Sequence, residues 1–377
     1  MKQCSSNNSS TCLMKRLWPT AFTFCFLFLH VESIKNLGNW MALGMQGGSL
    51  LQQSDLLLLG STSPLCNQIT GLTMGQRKLC MLYTDHMMHV GRGARTGISE
   101  CQFQFRHNKW NCSTVDDTTV LGPVLNIPSK EAAFANAIAS AGVVYSISRG
   151  CRDGQLSSCG CSDASRPNEL KKEWIWGGCG DNINYGYKYQ KNFIDIRERE
   201  VNHERGGDDH ARQLMNLHNN EAGRRAVIRN MKVTCKCHGV SGSCSLITCW
   251  QQLSPFRKVG DYLQDKYKIA TKVRSTRQGR LKVRKRSGII PTANDLIFID
   301  QSPNYCHPNS TTGSLGTQSR RCNKNSKGPD GCQQMCCRRG YTTLRTRIKE
   351  RCKCKFHWCC YVECESCFKR VELTVCK

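Results

Sequence analysis

Apolar residues recur every three or four positions along QRKLCMLYTDHMMHVGRGARTGISECQFQF, residues 76–105, placing Leu79, Leu82, Tyr83 and Met87 on one face. That period predicts an amphipathic helix. A second helix is expected after Ser129, an N-cap residue with Glu131 in the first turn behind it, and runs through KEAAFANAIASAGVVYSISRG. Its small apolar faces suit burial among other helices better than a membrane. DHARQLMNLHNNEAGRRAVIRNM, residues 209–231, is a third candidate. From Cys66 to about residue 230 the pattern is therefore that of a helical bundle clipped by bridges. Ahead of it, residues 34–65 are weakly patterned and are expected to be a loosely held segment.

The N-terminus has a different pattern. Lys2, Lys15 and Arg16 precede the apolar run LWPTAFTFCFLFLHV, and the polar stretch ESIKN follows. A basic start, a short apolar core and small residues near Ser33 predict a secretory signal over residues 1–33. The run is too short for a comfortable membrane anchor, and no later stretch approaches 18 apolar residues, so secretion is expected. Removing that region takes away Cys4, Cys12 and Cys25 from 27 cysteines and leaves 24, an even number suited to a fully oxidised framework. Half of those lie in the last 72 residues, from Cys306 to Lys377, where apolar residues are few. Such a region folds because bridges restrict the unfolded chain, at roughly 2–4 kcal/mol each. Short strands and long stapled loops are expected there. Two sequons, at Asn111 and Asn309, are candidate glycosylation sites.

Charge changes the picture once more. The net charge is +26, and its densest run is KVRSTRQGRLKVRKR, residues 272–286. For a secreted chain the matching polyanion is sulfated glycosaminoglycan or an acidic receptor face, and nucleic acid is set aside. The run reads equally as a solvated basic linker, over 272–290, between the two regimes. Processing after Arg286 is disfavoured, because Val283 stands where a second arginine is needed.

CKCHGVSGSCSLITCW, residues 235–250, concentrates the candidate chemistry. Zinc ligation is one reading of CKCH, of the CC pairs at 336 and 359, and of CESC, but an oxidising compartment opposes thiolate ligands. Hydrolysis is another: GVSGS is a near miss for the nucleophile elbow, with Ser241 as nucleophile and His238 nearby. Adjacency in sequence does not make a triad. The third reading is presentation. If Cys235 pairs with Cys249 and Cys237 with Cys244, the bridges nest and hold out a tip from His238 to Ser243, too short to bury itself. A merely structural hairpin remains open beside it.

The same stretch resembles the signature of the Wnt family of secreted, lipid-modified signalling proteins. ECQFQFRHNKWNCS, CGCSD, WGGCGDN, DLIFIDQSPNYC, GTQSRRCN, CCRRGY and CKCKFHWCCYVEC fit the family too, so the resemblance runs in order from Leu65 to Lys377. LYTDHMMHVGRGARTGISECQFQFRHNKWNCSTVDD is most similar to its fifth subfamily, usually linked to β-catenin-independent signalling. The resemblance implies an α+β, disulfide-rich fold: a helical N-terminal domain (66–271) with a lipid-bearing hairpin (235–249), a basic linker (272–290), and a cystine-rich C-terminal domain (291–377). It implies a palmitoleoyl ester on Ser241, with Ser243 structural, added by Porcupine and carried out by Wntless. No other cofactor, no metal and no catalysis are implied.

Receptor contact is expected on the Frizzled cysteine-rich domain through two tips: His238, Gly239, Val240, Ser241 and Gly242, then Phe356, Trp358, Cys359, Cys360 and Tyr361. Co-receptors of the Ror, Ryk or LDL-receptor-related type and heparan sulfate proteoglycans of the extracellular matrix are further expected partners. The resemblance also implies the remaining bridges: Cys66–Cys80, Cys101–Cys112, Cys151–Cys159, Cys161–Cys179, Cys306–Cys337, Cys322–Cys332, Cys336–Cys376, Cys352–Cys367, Cys354–Cys364 and Cys359–Cys360. The last joins adjacent residues, whose Cα atoms are ~3.8 Å apart, below the usual disulfide range.

Overall fold

The structure is a computed structural model that describes residues 39–46, 66–67, 69, 71–115, 119–240, 244–284 and 290–377. The expected signal region, most of segment 34–65, Ser241, Gly242, Ser243 and residues 285–289 of the expected linker lie outside the described residues.

Helices α1 (Met74–Leu82), α2 (His86–Phe105), α3 (Lys130–Arg152), α4 (Ile183–Arg199), α5 (Asp208–Arg229) and α6 (Phe256–Lys268) build the N-terminal part. Helix α3 is the axis of the bundle, packing against α2, α4, α5 and α6. Its start is fixed by Ser129, whose Oγ accepts from the Ala132 amide at 3.3 Å, and Glu131 and the Arg149–Arg152 end complement the helix dipole. Its small residues are buried and let neighbouring backbones come close. At the α2–α3 crossing a Cβ on Gly93 would stand 2.6 Å from both the Gly142 carbonyl oxygen and Val143 Cα. Glycine is the residue that allows that approach.

The run 76–105 forms two helices. Leu82, expected on the buried face, is 73% exposed, whereas Met87 is fully buried. The break has a local cause: Tyr83 leaves helical geometry (φ −134°, ψ 58°), and the Asp85 carboxylate is taken up by His86 Nδ1 at 2.7 Å and by the Ser157 amide and hydroxyl at 3.0 Å. Helices α4 and α6 are additions to the sequence reading. Asn182 caps α4 by accepting from the Tyr185 amide at 3.1 Å, and its buried Tyr189, Phe193 and Ile194 face the bundle. A bidentate pair between Arg224 of α5 and Asp195 of α4, 3.0 Å on each arm, is buried between them.

Strand β1 (Ile175–Trp176) runs parallel to β3 (Leu246–Gln252), which pairs antiparallel with β2 (Lys232–His238). The basic run is not a bare connection. Up to Arg284 it contains β4 (Thr271–Ser275) and β5 (Leu281–Val283), an antiparallel pair that β6 (Ile297–Phe298) extends on the other side. Val273, Ile297, Phe298 and Met215 form a small core beneath it.

The C-terminal part contains the expected short strands, β7 (Pro308–Asn309), β8 (Ser314–Leu315) and β9 (Arg321–Cys322), and the helical turn α7 (Cys332–Met335). It also contains two long strands, β10 (Tyr341–His357) and β11 (Tyr361–Cys376), in an antiparallel ribbon. Cys332, Cys336, Cys376 and Met335 are the buried centre at its base, so cystine sulfur stands where aliphatic side chains would otherwise pack. The fold is α+β, with helices first and cystine-rich strands last.

Candidate functional site: two stapled tips

Strands β2 and β3 place Cys235 directly opposite Cys249. The structure bonds those two and also Cys237 to Cys244, with Cα separations of 4.0 and 4.8 Å. At the neck of the loop the Ser245 hydroxyl donates to the His238 carbonyl at 3.1 Å. Beyond it Val240 is 87% exposed. His238 and Gly239 are exposed as well.

The base of this hairpin is fixed to the bundle. The Asp181 amide donates to the Gln251 carbonyl at 3.1 Å, and the Asp181 carboxylate accepts from the Leu253 amide at 2.8 Å. Arg152, at the end of α3, lies 3.1 Å from the other oxygen of that buried carboxylate. The Cys151–Cys159 and Cys161–Cys179 bridges brace the same corner. Sequence reasoning passed over Asp181 and Arg152, whose only signal is that WGGCGDN places a carboxylate beside a crowded cysteine.

The second tip closes the β10–β11 ribbon. His357 pairs with Tyr361, their rings stack at 4.8 Å, and the Cys360 amide donates to the His357 carbonyl at 3.2 Å. Cys359 is bonded to Cys360 and takes φ +80°, a left-handed conformation that turns the chain within two residues. Phe356, Trp358, Tyr361 and Val362 line an open hollow of about 430 Å³. Trp358 is 89% exposed and Phe356 68%, so this is no internal aromatic cluster.

The remaining bridges are Cys66–Cys80, Cys101–Cys112, Cys306–Cys337, Cys322–Cys332, Cys336–Cys376, Cys352–Cys367 and Cys354–Cys364. The cysteines that crowd into metal-like groups, Cys322, Cys336 and Cys376, and Cys352 with Cys367, all have their sulfur in these bonds. Both sequons have the hydroxyl of their third residue on the asparagine amide oxygen: Ser113 on Asn111 and Thr311 on Asn309, each at 2.7 Å. In the basic hairpin, exposed Arg274 and Lys282 face each other across β4 and β5.

Among the described residues no hydrogen bond or ion pair engages the His238 ring. Nor is any described helix long and apolar enough to cross a membrane. The disulfide-stapled hairpin and ribbon thus hold Val240, Phe356, Trp358 and Tyr361 in solvent. Comparison with known proteins gives that arrangement a family. The Wnt family model matches residues 68–377. Protein Wnt-5b of Danio rerio is 56% identical over 339 residues, covering 90% of this chain and 92% of that protein. Human protein Wnt-5a is 53% identical over 369 residues, 98% of this chain and 96% of that one. A solved structure of human WLS in complex with WNT8A superposes with a TM-score of 0.56 at 38% identity, over 78% of this chain and 94% of that chain. The chain belongs to the Wnt family. It is a secreted signalling ligand and not an enzyme.

Proposed function

We propose that this chain is a palmitoleoylated glycoprotein that grips the cysteine-rich domain of a Frizzled receptor between its two tips and signals through the β-catenin-independent branch, in cell polarity and migration. The observation that carries the reading is the pairing of a doubly stapled hairpin, with Val240 in solvent, with a solvent-exposed aromatic tip. A 16-carbon acyl chain on Ser241 offers on the order of 10 kcal/mol of gross transfer energy, at ~0.8 kcal/mol per buried CH₂. On a stapled hairpin little ordering entropy remains to be lost when a receptor groove takes it up. Phe356, Trp358, Cys359, Cys360 and Tyr361 make the second contact.

Glycans at Asn111 and Asn309, and a division into signal 1–33, segment 34–65, lipid-bearing domain 66–271, linker 272–290 and cystine-rich domain 291–377, belong to the same proposal. So do acylation by Porcupine and export by Wntless, for which the similar WNT8A, solved in complex with WLS, is the support. A co-receptor of the Ror, Ryk or LDL-receptor-related type and matrix heparan sulfate complete the partner set. Mass spectrometry of the 235–250 peptide should find the ester on Ser241. Ser241→Ala should fold and carry glycans yet lose export and Frizzled binding. An unmodified Ser241, or normal Frizzled affinity in the variant, would sink the proposal.

A further inference from the structure

The β10–β11 ribbon has two unlike faces. Alternate residues of a strand share a face, and residues paired across an antiparallel ladder share it too. Arg345, Arg347, Lys349 and Arg351 of β10 therefore stand together, opposite Glu372, Arg370, Phe368 and Ser366 of β11. The other face carries Thr346, Ile348 and Glu350 and the Cys352–Cys367 bridge. Glu372 neutralises Arg345 at 3.1 Å. Arg347, Lys349, Arg351 and Arg370 are exposed, and among the described residues none of the four has an ion pair or hydrogen bond through its side chain.

Arg347 and Arg370 are register partners, so two cations face each other directly. That arrangement is destabilising unless an anion sits between them. From Arg345 to Arg351 the row extends about 20 Å, with a cation at every second residue, on a ribbon only two strands, or about 5 Å, across. A narrow, regularly charged row suits an extended polyanion and not the plane of a membrane or the broad face of a protein. Beside Lys349, Phe368 is 72% exposed and offers a ring against which the C–H face of a sugar can lie.

We propose that this face of the ribbon is a binding site for a linear sulfated polysaccharide, held by Arg347, Lys349, Arg351 and Arg370. It deepens the glycan-binding part of the proposed function, and it is separate in position from the basic hairpin at 272–284. The four cations are distinct from the aromatic tip residues Phe356, Trp358 and Tyr361, so the two proposed contacts use different side chains.

The test uses the full secreted protein and a size-defined heparin dodecasaccharide. Each exposed ion pair contributes a factor of about 1.4–5 in affinity. Arg347→Gln, Lys349→Gln, Arg351→Gln and Arg370→Gln combined should therefore weaken heparin binding at least about fourfold and lower the salt needed for elution. Glu372→Gln, which frees Arg345, should tighten it, a gain that misfolding cannot imitate. Frizzled binding measured on the same samples should be unchanged, which keeps this site apart from the receptor reading. Heparin affinity within twofold of wild type in the combined variant overturns the proposal, even where a Lys272→Gln, Arg274→Gln, Lys282→Gln, Arg284→Gln variant loses binding. So does a loss confined to phosphatidylserine vesicles.

Discussion

Replacing Trp358 by alanine separates folding from recognition, because this side chain does almost nothing for the free protein. It is 89% exposed at the end of the ribbon, beyond the last strand pair at His357 and Tyr361. Removing it creates no cavity and leaves no polar group unpaired, so the melting temperature should stay within about a degree of wild type. Binding is another matter. A tryptophan side chain carries about 150–250 Å². At about 25 cal/mol per Å², burying most of it against a receptor is worth roughly 4–6 kcal/mol gross. Ordering and desolvation on association reduce this, and a central aromatic anchor typically loses about 2–4 kcal/mol on truncation. Trp358→Ala should therefore weaken binding to an isolated Frizzled cysteine-rich domain by roughly 30- to 1,000-fold. Biolayer interferometry on matched, fully lipidated preparations reads the constant directly, with thermal unfolding on the same samples. A change under threefold with an unaltered melting temperature would refute the tip as a contact. A fall of several degrees would refute the premise that Trp358 is idle in the free chain.

Three further outcomes follow from the interior. Gly93→Ala should destabilise the bundle by more than about 1–3 kcal/mol, because its Cβ would meet the Gly142 and Val143 backbone at 2.6 Å and neither can rotate away; chemical denaturation measures it. Arg224→Met should cost about 3–5 kcal/mol by leaving Asp195 buried without its bidentate partner, and most of that should return in Arg224→Met with Asp195→Leu, read from the same denaturation curves. Burial alone would raise the Asp295 carboxyl, but hydrogen bonds from Lys266 at 2.7 Å and from the Thr292 amide and hydroxyl hold it down to about 2. A depressed acid stabilises the fold above its unfolded pKa near 3.8 and loses that contribution as pH falls through about 2, so acid unfolding between pH 4 and 2 should be shallower in Lys266→Met than in wild type.

What could be read in the sequence was local. Ser129 followed by a long run of small apolar residues identifies α3 and its start, since a cap and a 3.6-residue period are both properties of a few neighbours. The spacing of Cys235, Cys237, Cys244 and Cys249 restricts the hairpin in the same way. Helix α6 carries a legible stripe in Phe256, Val259, Gly260 and Leu263, at three- and four-residue spacing. The 76–105 run misled because its period continues through Tyr83–Asp85; the break comes from Ser157 and His86 claiming Asp85, and Ser157 is 72 residues away. The long strands were hidden by their exposure. Period two marks a strand through one buried face, and β10 is exposed along almost its whole length. Asp181 and Arg152, which anchor the hairpin, are unremarkable until the fold brings them to 3.1 Å.

That exposure points to why the chain uses cystine where other proteins use a core. A two-stranded ribbon without a buried face is marginal in water. A globular solution would pack a sheet or helix on it, and would cover Phe356, Trp358 and Phe368 in doing so. Bridges act on the unfolded chain instead, removing loop entropy without occupying any surface of the folded one. Cys352–Cys367 and Cys354–Cys364 sit along the ribbon, and Cys235–Cys249 and Cys237–Cys244 along the hairpin, each closing a short loop next to a tip. Stability is thereby supplied by bonds that take no contact area, and the aromatic and cationic side chains stay available. The arrangement makes a sharp demand: removing the ribbon bridges alone, by Cys352→Ser with Cys367→Ser and Cys354→Ser with Cys364→Ser, should erase binding at the tip while the α3-centred bundle, whose core is mostly aliphatic and aromatic and keeps its own bridges, retains its helices. A ribbon that held its receptor affinity without those bridges would show that packing, and not the staples, maintains it.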